Sequence, residues 1–176
     1  MYTYDRLFGQ YNHTVAQMLL TWEDFDHENR LRNLQNTLER LLQLHTIPII
    51  NENDPIACEE YSLGDNDTLA ALVATCIHAD LVVLMSDIDG LYDSNPRTNP
   101  QAKLINHVGK IDAKIRRMAG GAGSAHGTGG MATKITAAEL CMDAGIPMMV
   151  ANGDKQGLLY DIVDGKPVGT LFQRER

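Results

Sequence analysis

The sequence predicts a three-layer α/β/α domain built on a mainly parallel sheet. Three observations carry this expectation: short, continuously apolar runs; helical apolar stripes between them; and polar clusters where the apolar runs stop. Strands that need no alternating polar residues are strands covered on both faces, as in parallel sheets sandwiched by helices. At 176 residues the chain has the size of roughly one domain, able to bury about two-thirds of its unfolded surface. Hydrophobic residues at 44% and charged residues at 22% exclude a disordered or collagen-like chain. No linker or internal repeat divides it, so residues 1–176 are expected to form one domain.

Taken in order, Tyr2 to Tyr11 has a partly amphipathic helical pattern, and Val15 to Leu20 is an apolar run of strand length. Leucines 31, 34, 38, 41 and 42, after Asp26, Glu28 and Asn29, recur at helical spacing and form one core-facing stripe. The stripe is too short for a coiled coil. Ile47 to Ile50, interrupted only by Pro48, reads as a buried strand that runs into Asn51-Glu52-Asn53-Asp54. Gly64-Asp65-Asn66-Asp67 then opens a helix carrying Leu69, Leu72, Val73, Cys76 and Ile77, with Asn66 or Asp67 as its cap.

Leu81 to Met85 reads as the next buried strand and stops at Ser86-Asp87-Ile88-Asp89-Gly90. Pro96 and Pro100 mark a surface loop, and Ile111 to Met118 a short helix. Six of the 15 glycines fall at 120, 121, 123, 127, 129 and 130, which predicts a loop. Met131, Ile135, Ala138 and Met142 form a stripe closed by Gly145, and Met148 to Ala151 is a third buried strand ending in Asn152-Gly153.

In open α/β sheets ligands sit beyond the carboxyl ends of the strands. The clusters Asn51 to Asp54, Ser86 to Asp89 and Asn152-Gly153 are expected to converge there, although each alone is also ordinary turn chemistry. Gly127-Thr128-Gly129-Gly130-Met131-Ala132-Thr133-Lys134 reads as a glycine loop entering a helix near Gly130. Its open amides and dipole would hold phosphate oxygens, with the Lys134 ammonium one turn in. The string fits neither the Walker A spacing nor GxGxxG, and loop flexibility is the alternative reading.

Other chemistries are excluded. Asp87, Asp89 and Asp93 lack the glycine position and closing glutamate of a calcium loop. The six histidines have no metal-ligand spacing, so no metal-ligating residue is expected. Cys58, Cys76 and Cys141 form neither a CxxC nor an even set, and are expected to be reduced and half-buried. Fifteen bases against 23 acids leave a formal charge of −8, which disfavours nucleic acid and anionic membranes as partners. Met1 to Gln10 lacks a signal-peptide core and no run spans a membrane, so a cytoplasmic protein is expected.

Four strings occur in order and at matching separations in the glutamate 5-kinases: Ile50-Asn51-Glu52-Asn53-Asp54; Gly64-Asp65-Asn66-Asp67; Ser86-Asp87 before Asp89-Gly90-Leu91-Tyr92; and Gly127-Thr128-Gly129-Gly130-Met131 with Thr133-Lys134. On these residues the chain resembles the bacterial form of those enzymes, a branch of the amino acid kinase family, from near residue 1 to Gly169-Thr170-Leu171-Phe172. The resemblance implies transfer of the γ-phosphate of ATP, with Mg2+, to the side-chain carboxylate of L-glutamate, the first step of proline biosynthesis. It implies that Asp54 and Asn66 hold glutamate, and that Ser86, Asp87 and Thr128, Gly129, Gly130, Met131, Ala132, Thr133 and Lys134 contact the nucleotide. Lys134 resembles the family lysine that neutralises the transferring phosphoryl, and Asp67 the aspartate that orients catalytic lysines. Homo-oligomers and feedback inhibition by proline are further family traits.

The chain departs from the family in lacking its first strand, with a lysine and a glycine-serine turn, and its later Ser-Ser-Gly segment. It is therefore expected to be the C-terminal two-thirds of a kinase domain, N-terminally truncated and without the appended RNA-modifying-enzyme-like (PUA) domain. The readings left open are a non-catalytic, truncated nucleotide-binding module and a different amino acid kinase.

Overall fold

The computed structural model describes residues 1–56, 64–120 and 130–175, in two units, Met1–Leu69 and Ala70–Arg176. In the first, α1 (Tyr2–Gly9) and β1 (Thr14–Leu20) fall where the sequence predicts them. β1 pairs in parallel with β2 (Thr46–Glu52), from Thr14 opposite Thr46 to Leu20 opposite Glu52. Between them run α2 (Glu23–Asp26), which the sequence reading missed, and α3 (Glu28–Gln43). Asp24 fixes the entry to α3, because Oδ2 accepts the Thr21 N–H at 2.7 Å while Oδ1 accepts from Arg30 at 2.8 Å.

In α3, Leu34 and Leu38 are buried, Leu31 and Leu41 half-buried. Leu42 is exposed, since one step along a helix turns a side chain roughly 100° from the row. β2 is half-buried for most of its length, where the sequence predicted full burial. Pro48 has no N–H for a second ladder and suits an edge, and among the described residues β2 pairs with β1 alone.

The next helix, α4 (Asn66–Cys76), is capped by Asp65, neither by Asn66 nor by Asp67. A cap must reach the third helical amide, and Asp65 accepts the Thr68 N–H at 2.8 Å and its hydroxyl at 3.0 Å. Asn66 and Asp67 are already helical, too near that amide to cap it.

The second unit is a three-layer sandwich. β3 (Val82–Ser86) pairs in parallel with β5 (Met148–Asn152), β5 antiparallel with β6 (Thr170–Phe172), and β6 in parallel with the short β4 (His107–Val108). Alternate side chains leave a strand on opposite faces. Val82, Leu84, Met148 and Val150 therefore pack with Ala71 and Ala74 of α4 and with Ile135, Ala138 and Cys141 of α6 (Met131–Asp143). Met149 and Ala151 pack on the other face with Leu158 and Ile162 of α7 (Leu158–Val163). This two-sided burial is why the strands read as unbroken apolar runs. β4, β6 and α7 are too short to show a period and went unpredicted as elements.

α5 (Ala113–Gly120) starts two residues later than its apolar pattern, because Asp112 caps it through the amides of Lys114 and Ile115 at 2.8 and 2.9 Å. Of the predicted glycine loop, Gly120 ends α5 and Gly130 precedes α6, while residues 121–129 lie outside the described residues. α6 closes as expected at Gly145 (φ +76°), where the Ile146 N–H reaches back to the Cys141 carbonyl at 2.8 Å and the Gly145 N–H to that of Met142 at 3.1 Å.

Cys76 and Cys141 are buried, more so than predicted, and Cys58 lies outside the described residues. Burial pushes the Cys141 thiol up from 9.0 to about 11. A raised thiol value means that the folded state holds its proton where the unfolded chain has lost it, so this burial weakens the fold as pH rises through 9.0 towards about 11. In the native protein at pH 8, Cys141 should resist iodoacetamide in peptide mapping; labelling at the rate of an unfolded control would contradict its burial.

Gly169 anchors the start of β6 at φ +69°, where a Cβ would lie 2.2 Å from the Val150 carbonyl oxygen. Gly165 has a similar φ of +72° with nothing within 4 Å. Gly169→Ala should therefore lose about 1–3 kcal/mol more than Gly165→Ala, the difference being overpacking rather than backbone strain. Equal melting temperatures for the two variants would contradict this packing.

Candidate functional site

The carboxyl ends of β3 and β5 lie side by side, since Ser86 is the register partner of Asn152 and the Gly153 N–H donates to the Ser86 carbonyl at 2.8 Å. The chain leaving β3 turns at Gly90 against Thr170, a wholly buried residue of β6. The Thr170 hydroxyl accepts the Leu91 N–H at 2.8 Å and donates to the Ile105 carbonyl at 2.7 Å, tying the outgoing and returning arms of the loop to the sheet. Asp89 ties the same loop to β5: Oδ1 takes Lys155 Nζ at 2.8 Å and Asn152 Nδ2 at 3.0 Å, and Oδ2 takes the Tyr92 hydroxyl at 3.3 Å. Lys155, then Asn152, hold the Asp89 carboxyl below its ordinary value by hydrogen bonding. Burial and the Asp89 charge push the Tyr92 phenol above its ordinary value, so it remains a donor. An exposed ion pair of this kind contributes only about 0.2–1 kcal/mol to overall stability.

Facing this loop are α5 and the first turn of α6. Ile115, Met118 and Ala119 of α5 pack on the core, while Lys114 and Arg117, three residues apart, flank a cavity of about 580 Å³. Gly130 is the N-cap of α6 and offers the first amides no side-chain oxygen; the Thr133 hydroxyl turns back to the Gly130 carbonyl at 2.7 Å. Lys134, only 8% exposed, lines the cavity one turn in. Among the described residues, four cations (Arg97, Lys114, Arg117, Lys134) and two carboxylates (Asp87, Asp93) line it, a surplus of two positive charges on a chain of charge −8. A second cavity, of about 530 Å³, has three cations and three carboxylates, with Arg116 paired to Glu139 and Arg174 to Asp143. Among the described residues, only the first of these two cavities is lined by more cations than carboxylates, the balance that suits an anion.

Of the residues predicted to bind nucleotide, Ser86, Asp87, Gly130, Met131 and Lys134 line this one cavity. Ser86 donates to Asp87 Oδ1 at 3.2 Å. Ala132 and Thr133 follow in the same first turn, and Thr128 and Gly129 lie outside the described residues. Asp54, Asn66 and Asp67 belong to the first unit: Asp54 is exposed just beyond β2, and Asn66 and Asp67 are the first two residues of α4. Sequence reasoning missed Arg97, Lys114, Arg117 and the Asp89 network. The spacing of Lys114 and Arg117 was a usable signal, because residues three apart share a helix face.

The donor set also bears on magnesium. Among the described residues no three His, Cys, Asp or Glu side chains gather in a metal cage, but two carboxylates line the cavity. One or two carboxylates suffice for an ion that takes its other oxygens from phosphates and water, so the residues present fit magnesium arriving with a nucleotide.

A cavity lined by more cations than carboxylates, at the carboxyl end of β3 and bordered by the amino terminus of α6, suits an anionic ligand in an α/β protein. The family model described as Amino acid kinase family matches residues 1–152, and the chain belongs to that family. Among curated relatives, the glutamate 5-kinases of Clostridium acetobutylicum and Clostridium tetani are each 52% identical to it over 172 residues, covering 98% of this chain and 64% of each relative. That of Clostridium perfringens is 46% identical over 176 residues, covering 98% of this chain and 65% of the relative. The chain thus spans a little under two-thirds of these relatives' length. Among solved structures it resembles UMP kinase from Bacillus anthracis (TM-score 0.65, 19% identity, 97% of this chain and 62% of that one). It also resembles an isopentenyl phosphate kinase product complex from T. acidophilum (TM-score 0.60, 16% identity, 92% and 61%). At those identities the likeness is one of fold alone.

If the surplus charge is what the cavity offers, replacing Lys114 and Arg117 together by alanine should weaken inorganic triphosphate binding by roughly tenfold or more, since a hydrogen bond to a charged group contributes about 1.5–3 kcal/mol. Titration at two salt concentrations checks this. Unchanged affinity would remove α5 from the site.

Proposed function

We propose that residues 1–176 belong to the amino acid kinase domain of a glutamate 5-kinase, a cytoplasmic enzyme that phosphorylates the side-chain carboxylate of L-glutamate with ATP to open proline biosynthesis. The observation carrying this reading is the meeting of Ser86, Asp87, Gly130, Met131 and Lys134 in one cationic cavity, in a chain 52% identical to proteins named glutamate 5-kinase.

In the reaction a carboxylate oxygen of glutamate attacks the γ-phosphorus in line, the bond from that phosphorus to the β,γ-bridging oxygen breaks, and ADP leaves. Such transfer asks chiefly for positioning and charge stabilisation. Ser86 and Asp87 form one wall for the nucleotide, with residues 130–133 along its phosphates. Lys134, already shielded from water, keeps its ammonium where charge builds on the transferring group. Asp54 takes the glutamate ammonium, Asn66 a polar group of glutamate, and Asp67 orients catalytic lysines. Asp87 and Asp93 would hold magnesium, which neutralises phosphate charge when bound. Association into homo-oligomers and inhibition by proline belong to the same reading. Among the described residues no helix is long and apolar enough to cross a membrane.

The test is calorimetry with ATP–magnesium followed by an acyl phosphate assay with glutamate. Lys134→Ala should lower turnover on the order of a hundredfold; an unchanged rate would remove Lys134 from the chemistry. Binding without turnover would leave a nucleotide-binding module in place of a kinase, and a preference for another carboxylate in a substrate panel would reassign the acceptor.

A further inference from the structure

Asp89 has no role in the reaction proposed above, yet its carboxylate makes two long-range contacts, to Asn152 and to Lys155. Its Oδ1 holds Lys155 Nζ at 2.8 Å and Asn152 Nδ2 at 3.0 Å, and its Oδ2 holds the Tyr92 hydroxyl at 3.3 Å. The Asn152 amide is itself oriented, because its Oδ1 accepts the Asp154 N–H at 3.0 Å, which leaves Nδ2 to face Asp89. One carboxylate thus clamps the β3 loop to the turn after β5 from one side and to Tyr92, a residue of the cavity wall, from the other.

We propose that Asp89 is a positioning residue for the nucleotide: its clamp sets the course of residues 86–93, so that Ser86, Asp87 and Tyr92 present one preformed wall to the ligand of the cavity. The inference rests on the reading of that cavity as a nucleotide site. The Asp89–Lys155 pair is partly exposed, with side-chain exposures of 34% and 58%, so it adds little to overall stability. Its effect is local. A wall displaced by about an ångström can cost up to two orders of magnitude at a site that depends on orientation, whereas the fold stays anchored by Thr170 and the β3–β5 ladder.

The experiment measures ATP–magnesium affinity of the full chain by calorimetry, with melting temperature in parallel, for the unsubstituted protein and for Asp89→Ala, Asp89→Glu and Lys155→Met. Asp89→Ala should weaken nucleotide binding about tenfold with the melting temperature within about 3 °C, since only a surface pair is lost. Lys155→Met, which breaks one arm of the clamp, should weaken it about threefold, and Asp89→Glu, which keeps the charge, should bind more tightly than Asp89→Ala. Unaltered affinity in Asp89→Ala overturns the inference alone, as does a loss matched by a large fall in melting temperature, which would mark a merely structural residue. No ATP binding by the unsubstituted chain would overturn the nucleotide reading first, and this inference with it.

Discussion

Everything in the second unit follows from the pairing of β3 with β5, two parallel strands whose side chains, apart from the exposed Met85 that the sequence reading expected to be buried, are committed to packing on both faces. Val82, Leu84, Met148 and Val150 go to one helical layer, Met149 and Ala151 to the other. With both faces committed to packing, polar chemistry can collect only at the strand ends. Parallel register brings those ends to the same edge, Ser86 beside Asn152. The helix amino terminus at Gly130 and the loop from Ser86 to Arg97 meet in one cavity for that reason, and not through any affinity between their sequences.

Charge then decides what that cavity attracts. The chain as a whole is acidic, which keeps polyanions away from most of its surface, so a local surplus of cations is informative against that background. The second cavity shows the contrast: equal numbers of acids and bases line it, with two ion pairs among them. Lys134 differs from the other cations in being buried, which places its charge in a medium of lower dielectric, where it acts more strongly on a neighbouring phosphate.

Much of this was legible in the sequence, and the failures have physical causes. Strands buried on both faces announce themselves as apolar runs, so β3 and β5 were found almost to the residue, and the Gly145 stop of α6 follows from its left-handed backbone. β4 and β6, of two and three residues, are held by neighbours far away in sequence and leave no local pattern. The cap of α4 was misassigned because Asp65, Asn66 and Asp67 are all good capping types, and only geometry distinguishes the one that reaches Thr68. Ser86, Asp87, Gly130 and Lys134 were recognisable as a set by motif. Arg97 and the Asp89 clamp were not, since their meaning depends on partners such as Asn152, 63 residues away.

The account is tested most directly by a crystal structure of the chain with magnesium and a non-hydrolysable ATP analogue. It predicts the triphosphate between the Ser86–Asp87 wall and the first turn of α6, with Lys134 Nζ within hydrogen-bonding distance of the γ-phosphate. A nucleotide bound elsewhere on the chain, with this cavity filled only by solvent, would contradict it.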